Sequence, residues 1–292
     1  MQSNNPVFSR SEGFNGQPAA NAYGNQTYPA SGMTYPEYGS GTPGYAEAPD
    51  TTYGAPADTG PMTIDSVVQK TAITLGVVIA VAAVTWIVTP TVSAEADLAP
   101  LYMASMIGAL GGFALAMVNS FKRVISPALV LAYAAFEGVF VGAFSKTIEA
   151  VFARSDSPSG LVIGAVMGTM AAVAGTLAAY KFFNIQVNDK FRKFTIAAMF
   201  GFVAISLMDF VLSFFGSSFG FNGFGGMGMV ASVIGLGIGV LMLILDFDFV
   251  ERGIAARLPE RESWRAAFGL TVTIIWIYIQ LLRLLAILRG QD

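Results

Sequence analysis

The chain reads as an all-α integral membrane protein, with seven transmembrane helices behind a disordered N-terminal tail. Three observations predict that class. Hydrophobic residues make up 54% of the 292 and charged residues only 12%, against roughly a quarter charged in a soluble domain. From Thr63 onward the apolar residues gather into blocks of about 20, the length at which a helix crosses roughly 30 Å of hydrocarbon. Residues 1–61 are a different material, dense in Pro, Gly, Ser and Tyr and poor in aliphatic side chains, so they have too little to bury to pack. The domains follow as a tail over 1–61 and a membrane domain over 62–292. The tail also lacks the basic start and apolar core of a signal peptide.

Seven spans are predicted, approximately Ala72 to Thr91, Leu98 to Phe121, Pro127 to Ser145, Leu161 to Phe182, Phe194 to Phe215, Met227 to Leu245 and Ala266 to Leu288. Ahead of the first, MTIDSVVQK offers Thr63 or Asp65 as a helix cap followed by apolar residues at helical spacing, which suggests a short interfacial lead-in helix. Lys and Arg set the orientation, since basic loops stay on the cytoplasmic side. Arg10, Lys70 and the loops after spans two, four and six (Lys122 and Arg123, Lys181 to Lys193, Arg252 to Arg265) fall on one side, while Lys146, Arg154 and Arg289 fall on the other. The expectation is a multi-pass cell (plasma) membrane protein with a cytoplasmic N-terminus and an external C-terminus.

The same composition narrows the chemistry. Cys and His are both absent, which removes disulfides, thiol nucleophiles, thiolate or imidazole zinc sites and histidine mechanisms. A net charge of −3 gives no argument for nucleic acid. GLGIG lies inside an apolar span without the strand and helix that a nucleotide loop needs, so no cofactor is expected. Nor does any catalytic motif of a membrane hydrolase appear, and the chain is read as a non-enzyme. GFNGFGGMG, Gly220 to Gly228, reads as a flexible external loop. Gly108 and Gly112, Gly164 and Gly168, and Gly235 and Gly239 each have the spacing that lets helices approach closely in lipid. Packing within one bundle is the expected use, and the oligomeric state stays open.

Ionisable groups inside spans usually face a bundle interior or an aqueous cavity. Glu137 falls near the centre of span three, and Asp209 in the outer half of span five. Arg283 comes out at a depth comparable to Asp209, at 1.5 Å per residue, so the two are candidates for a buried ion pair. In LMLILDFDFVERG, Asp246 follows an apolar run at the inner end of span six, either as the first solvated residue or as an acid at the inner mouth of a cavity; the expectation adopted is that it faces the bundle. Asp248 and Glu251 are read as part of a wet cytoplasmic interface.

Seven spans, the carboxylate closing LILDFDF, a short charged loop and then ESWRAAFGLTVTIIWIYIQLLRLLAIL resemble the Bax inhibitor-1 family, also called the transmembrane Bax inhibitor motif group. The opening SNNPVFSR and the Tyr/Gly/Pro-rich tail are similar to a bacterial, actinobacterial-type branch. The resemblance covers about residues 62 to 290. It implies a central last helix surrounded by the other six. For several members it also implies a pH-sensitive calcium leak gated by two aspartates, one each on helices six and seven. Asp246 matches the first of these, with Asp248 as the fallback. Thr273 stands where the second would be, and Trp276 where the family has an asparagine. Gln280 lies two turns above Thr273 on nearly the same face.

Two function classes remain open. One is a cation leak in which Glu137, Asp209 and Asp246, with Thr273 and Gln280, supply oxygen ligands for weak Ca2+ binding. The other is a non-conducting regulator of membrane proteins or membrane proteases in envelope stress, with the tail as its recruiting arm.

Overall fold

The computed structural model describes residues 60–90, 92, 98–152, 160–183 and 185–290. The tail up to residue 59, with Arg10, lies outside the described residues, as do Thr91 and Arg154. Seven helices follow in order: α1 (Ile64–Val88), α2 (Leu98–Phe121), α3 (Pro127–Phe152), α4 (Leu161–Phe182), α5 (Asp189–Ser213), α6 (Gly226–Ala255) and α7 (Glu262–Gly290). Each is long and apolar enough to cross a membrane.

Several boundaries differ from the hydropathy blocks, each for a local reason. No separate lead-in helix exists. Thr63 caps α1 itself, its hydroxyl accepting the Ser66 N–H while the Thr63 N–H donates to Ser66 Oγ, so two end groups are satisfied reciprocally. α3 runs seven residues past Ser145, and α5 starts at Asp189 under an Asn188 cap that accepts the Phe191 N–H. α6 continues nine residues beyond Asp246, so that carboxylate does not close the helix. Ahead of α1, Met62 N–H donates to Leu258 O, and Glu260 N–H to Gly60 O, tying residues 60–62 to the α6–α7 turn.

α7 is the centre of the bundle. Of its most apolar window 61% is buried, against 11% for α1 and 17% for α2 and α5. Its backbone packs against α1, α3, α4 and α6. The expected ring of six is therefore incomplete. α2 is carried on α3, and α5 packs on α6 and reaches α7 through Phe202 against the Trp276 ring, 5.3 Å between centroids.

Lipid tails are as apolar as Leu, so close packing rather than water exclusion joins these helices. The glycines show how. A Cβ at Gly108 would lie 2.5 Å from the Phe140 backbone nitrogen, and one at Gly142 2.5 Å from Ala82 O. α2 and α3, and α1 and α3, thus meet backbone to backbone. Gly164 and Gly168 face Leu285 and Leu281 of α7, and Gly235 and Gly239 face Gln280 and Ile277 of α7. The three predicted glycine pairs all serve contacts within the chain. Gly138 and Gly142 have the same spacing and serve α1–α3.

Candidate functional site: the seam between α6 and α7

The α6–α7 seam carries four of the side chains named above, Asp246, Thr273, Trp276 and Gln280. At its lower part Thr273 Oγ1 donates to Asp246 Oδ2 at 2.6 Å. Thr273 is 5% exposed and Asp246 is half-buried. One turn before Thr273, Gly269 also faces the carboxylate: a Cβ there would lie 3.4 Å from Asp246 Oδ1, an ordinary van der Waals contact. Asp246 thus faces α7 rather than lipid, and a carboxylate accepting from a hydroxyl is a charge-assisted hydrogen bond. Of the two aspartates considered for this position, Asp246 is the one that meets Thr273.

Farther along, the Trp276 indole N–H donates to Gly235 O at 2.8 Å. Because Gly235 and Gly239 lack side chains, Trp276, Ile277 and Gln280 settle directly on α6. Gln280 is buried, and its Oε1 has no hydrogen-bond partner. The seam therefore runs from a carboxylate–hydroxyl contact, through an indole–carbonyl clasp, to a buried amide.

Asp248 is placed differently from its predicted wet surface. It is 7% exposed and pairs with Arg192 of α5 at 3.1 Å and with Arg252, one turn on, at 2.8 Å. Arg252 also donates to Val187 O. Asp248 thus fastens α6 to the start of α5. Glu251, beside it, accepts the Tyr180 hydroxyl at 2.7 Å.

Asp209 and Arg283 do not form the expected ion pair; no contact within 4 Å joins their charged groups. Both instead hold the α5–α6 loop. Asp209, 3% exposed, accepts the Phe219 N–H at 2.6 Å and the Asn222 N–H at 2.9 Å. Arg283 donates to Phe221 O and Gly223 O. Asn222 also exchanges hydrogen bonds with Ser206. The glycine-rich loop, expected to be flexible, is a pinned segment between these two charged groups.

Glu137 stands apart from the seam at the α2–α3 interface, where a Cβ at Gly112 would lie 2.9 Å from its Oε1, with Tyr133 one turn before it on α3. Glu137, Asp209 and Asp246 are therefore dispersed over three interfaces instead of lining one space. Among the described residues no group of three or more Asp or Glu gathers where it could hold a metal ion.

Two further buried charges lie in the part of α3 that the apolar block did not reach. Lys146 donates to Trp86 O, Thr89 O and Thr89 Oγ1, closing the end of α1. Glu149 accepts the Val162 N–H at the start of α4, and its Oε1 has no partner. Their sequence signal is the apolar spacing of Ile148, Val151 and Phe152, which continues the helix past Ser145.

A seven-helix membrane bundle built around its last helix, with a carboxylate on helix six meeting helix seven, defines the class. The Bax inhibitor 1 like family model matches residues 5–290, and the chain belongs to that family. The match extends into the tail, well beyond the segment from residue 62 that carries the resemblance most visibly. No curated protein gives a significant match.

Proposed function

We propose that this protein is a pH-responsive cation leak controlled at the α6–α7 seam by the single carboxylate of Asp246. The observation that carries the reading is the 2.6 Å hydrogen bond from Thr273 to Asp246, at the positions where the family resemblance puts a pair of aspartates. With a hydroxyl in place of the second acid, there is no proton to share between two carboxylates, and Asp246 titrates as one group. Ionised, it accepts a charge-assisted bond from Thr273. Protonated, it accepts only a weaker, neutral one. Acidification therefore loosens α6 from α7, and raising the pH restores the contact.

The test is flux of Ca2+ and of a monovalent cation into proteoliposomes, measured from acidic to alkaline pH. The reading expects flux to rise on acidification, and Asp246→Asn to be flat at the wild-type acid level.

The dispersal of Glu137, Asp209 and Asp246 over separate interfaces favours a second reading, a non-conducting regulator of other membrane proteins. No flux at any pH, from protein that is folded and correctly inserted, would select it.

A further inference from the structure

The backbones of α1 and α4 nowhere come together, although both pack on α7. Between them lies a cleft of about 320 Å³, floored by α3 and α7. Its walls are almost wholly apolar, with Leu75, Ala82 and Trp86 on one side and Val166 and Met170 on the other. The mouth opens sideways from the bundle: Ile79, Val166 and Met170 are 67, 46 and 62% exposed. For spans crossing a bilayer, that mouth lies in hydrocarbon. From Leu75 to Trp86 the wall extends for about 16 Å of helix, close to half of a roughly 30 Å hydrocarbon core, so its length is that of one leaflet.

One polar feature interrupts the floor. Ser145 Oγ and the Tyr278 hydroxyl lie 2.7 Å apart, and both line the cleft. Two hydroxyls bring two protons and share one hydrogen bond, which leaves one O–H to donate elsewhere. Neither makes another hydrogen bond among the described residues. A buried donor without an acceptor is costly, and an ester carbonyl would supply the missing acceptor. An apolar slot with one convergent polar group is the usual form of a small-molecule site.

We propose that the α1–α4 cleft is a binding site for one acyl chain of a bilayer glycerolipid, with the chain along Leu75 to Trp86 and its ester carbonyl accepting from the Ser145–Tyr278 pair. The site is separate from the α6–α7 seam and holds whether or not the protein conducts. A chain in this slot fills the space between two helices whose backbones do not come together.

The full chain in detergent, incubated with a diacyl phosphatidylglycerol, would be examined by native mass spectrometry. The wild type retains one lipid per chain. Val166→Phe and Ile79→Phe, which narrow the mouth from opposite sides, each reduce the retained fraction at least fivefold. Ser145→Ala with Tyr278→Phe reduces it about fivefold, the equivalent of one ordinary hydrogen bond. Phe200→Trp, on an exposed part of α5, leaves it unchanged. A second measurement does not depend on any of these variants folding. In a Trp264→Phe, Trp276→Phe background, Trp86 fluorescence is quenched by a lipid brominated along one acyl chain, and unbrominated lipid reverses the quenching slowly, over minutes. Equal retention in all variants, no retained lipid in the wild type, quenching that reverses at once, or a lipid-free dimer joined through this cleft would overturn the proposal.

Discussion

Asp209 and Arg283 hold one loop between them without forming a salt bridge. Their matching positions along the spans were readable from residue counting, and both are buried. Their acceptors and donors are backbone groups of a glycine-rich loop, which no side-chain pattern encodes. The energetic expectation changes accordingly. Hydrogen bonds to charged groups contribute about 1.5–3 kcal/mol each, so Asp209→Asn should lower stability by roughly 2 kcal/mol, Arg283→Gln by a similar amount, and the double variant by less than the sum, because either loss frees the same loop. A double-mutant cycle in detergent unfolding measures this. Strict additivity would mean that the loop is held elsewhere. Asp248 carries a second correction. Exposed ion pairs are worth roughly 0–1 kcal/mol, and its two arginines are partly exposed. Asp248→Asn should therefore cost about 1 kcal/mol of stability and leave the pH dependence of flux in place.

At the scale of the element, α2 and α4 start and stop where the apolar blocks do, because nothing at their ends competes with hydropathy. α6 was cut short because Asp246 and Asp248 look like the edge of the membrane. In the fold those carboxylates are satisfied by Thr273 and by Arg192 and Arg252, which lets the helix continue. The helix contacts invite a direct comparison of glycines. Gly142→Ala puts a methyl group against the Ala82 backbone, which cannot swing aside as a side chain can, so it should cost about 1–3 kcal/mol and separate α1 from α3. Gly201 is helical with open space around it, so Gly201→Ala should be neutral or stabilising by up to about 1 kcal/mol. Thermal unfolding of the two variants distinguishes them, and equal effects would contradict the packing described here.

For the whole molecule, composition and the spacing of the apolar blocks carry the class and the number of helices, since in lipid each backbone must satisfy its own hydrogen bonds and so forms helices. That α7 is central came from resemblance, and its burial bears this out. The dispersal of the acids over separate interfaces was not legible, because spacing along a helix gives depth and face but not which neighbour that face meets. The basic loops α2–α3, α4–α5 and α6–α7 share one end of the bundle. The positive-inside tendency then predicts that tags at the two termini of intact cells are reached from opposite sides; labelling from the same side would contradict it.

The central claim is that one carboxylate, Asp246, sets the response of the α6–α7 seam to protons. Thr273→Asp tests it most directly, by placing a second carboxylate where the hydroxyl lies 2.6 Å from Asp246. Two acids so close cannot both ionise easily and lose their protons in two coupled steps. Cation flux through proteoliposomes, followed across pH, should show a single transition in the wild type, two in Thr273→Asp and none in Asp246→Asn. A pH profile unchanged by Thr273→Asp, or one that persists in Asp246→Asn, would contradict the account.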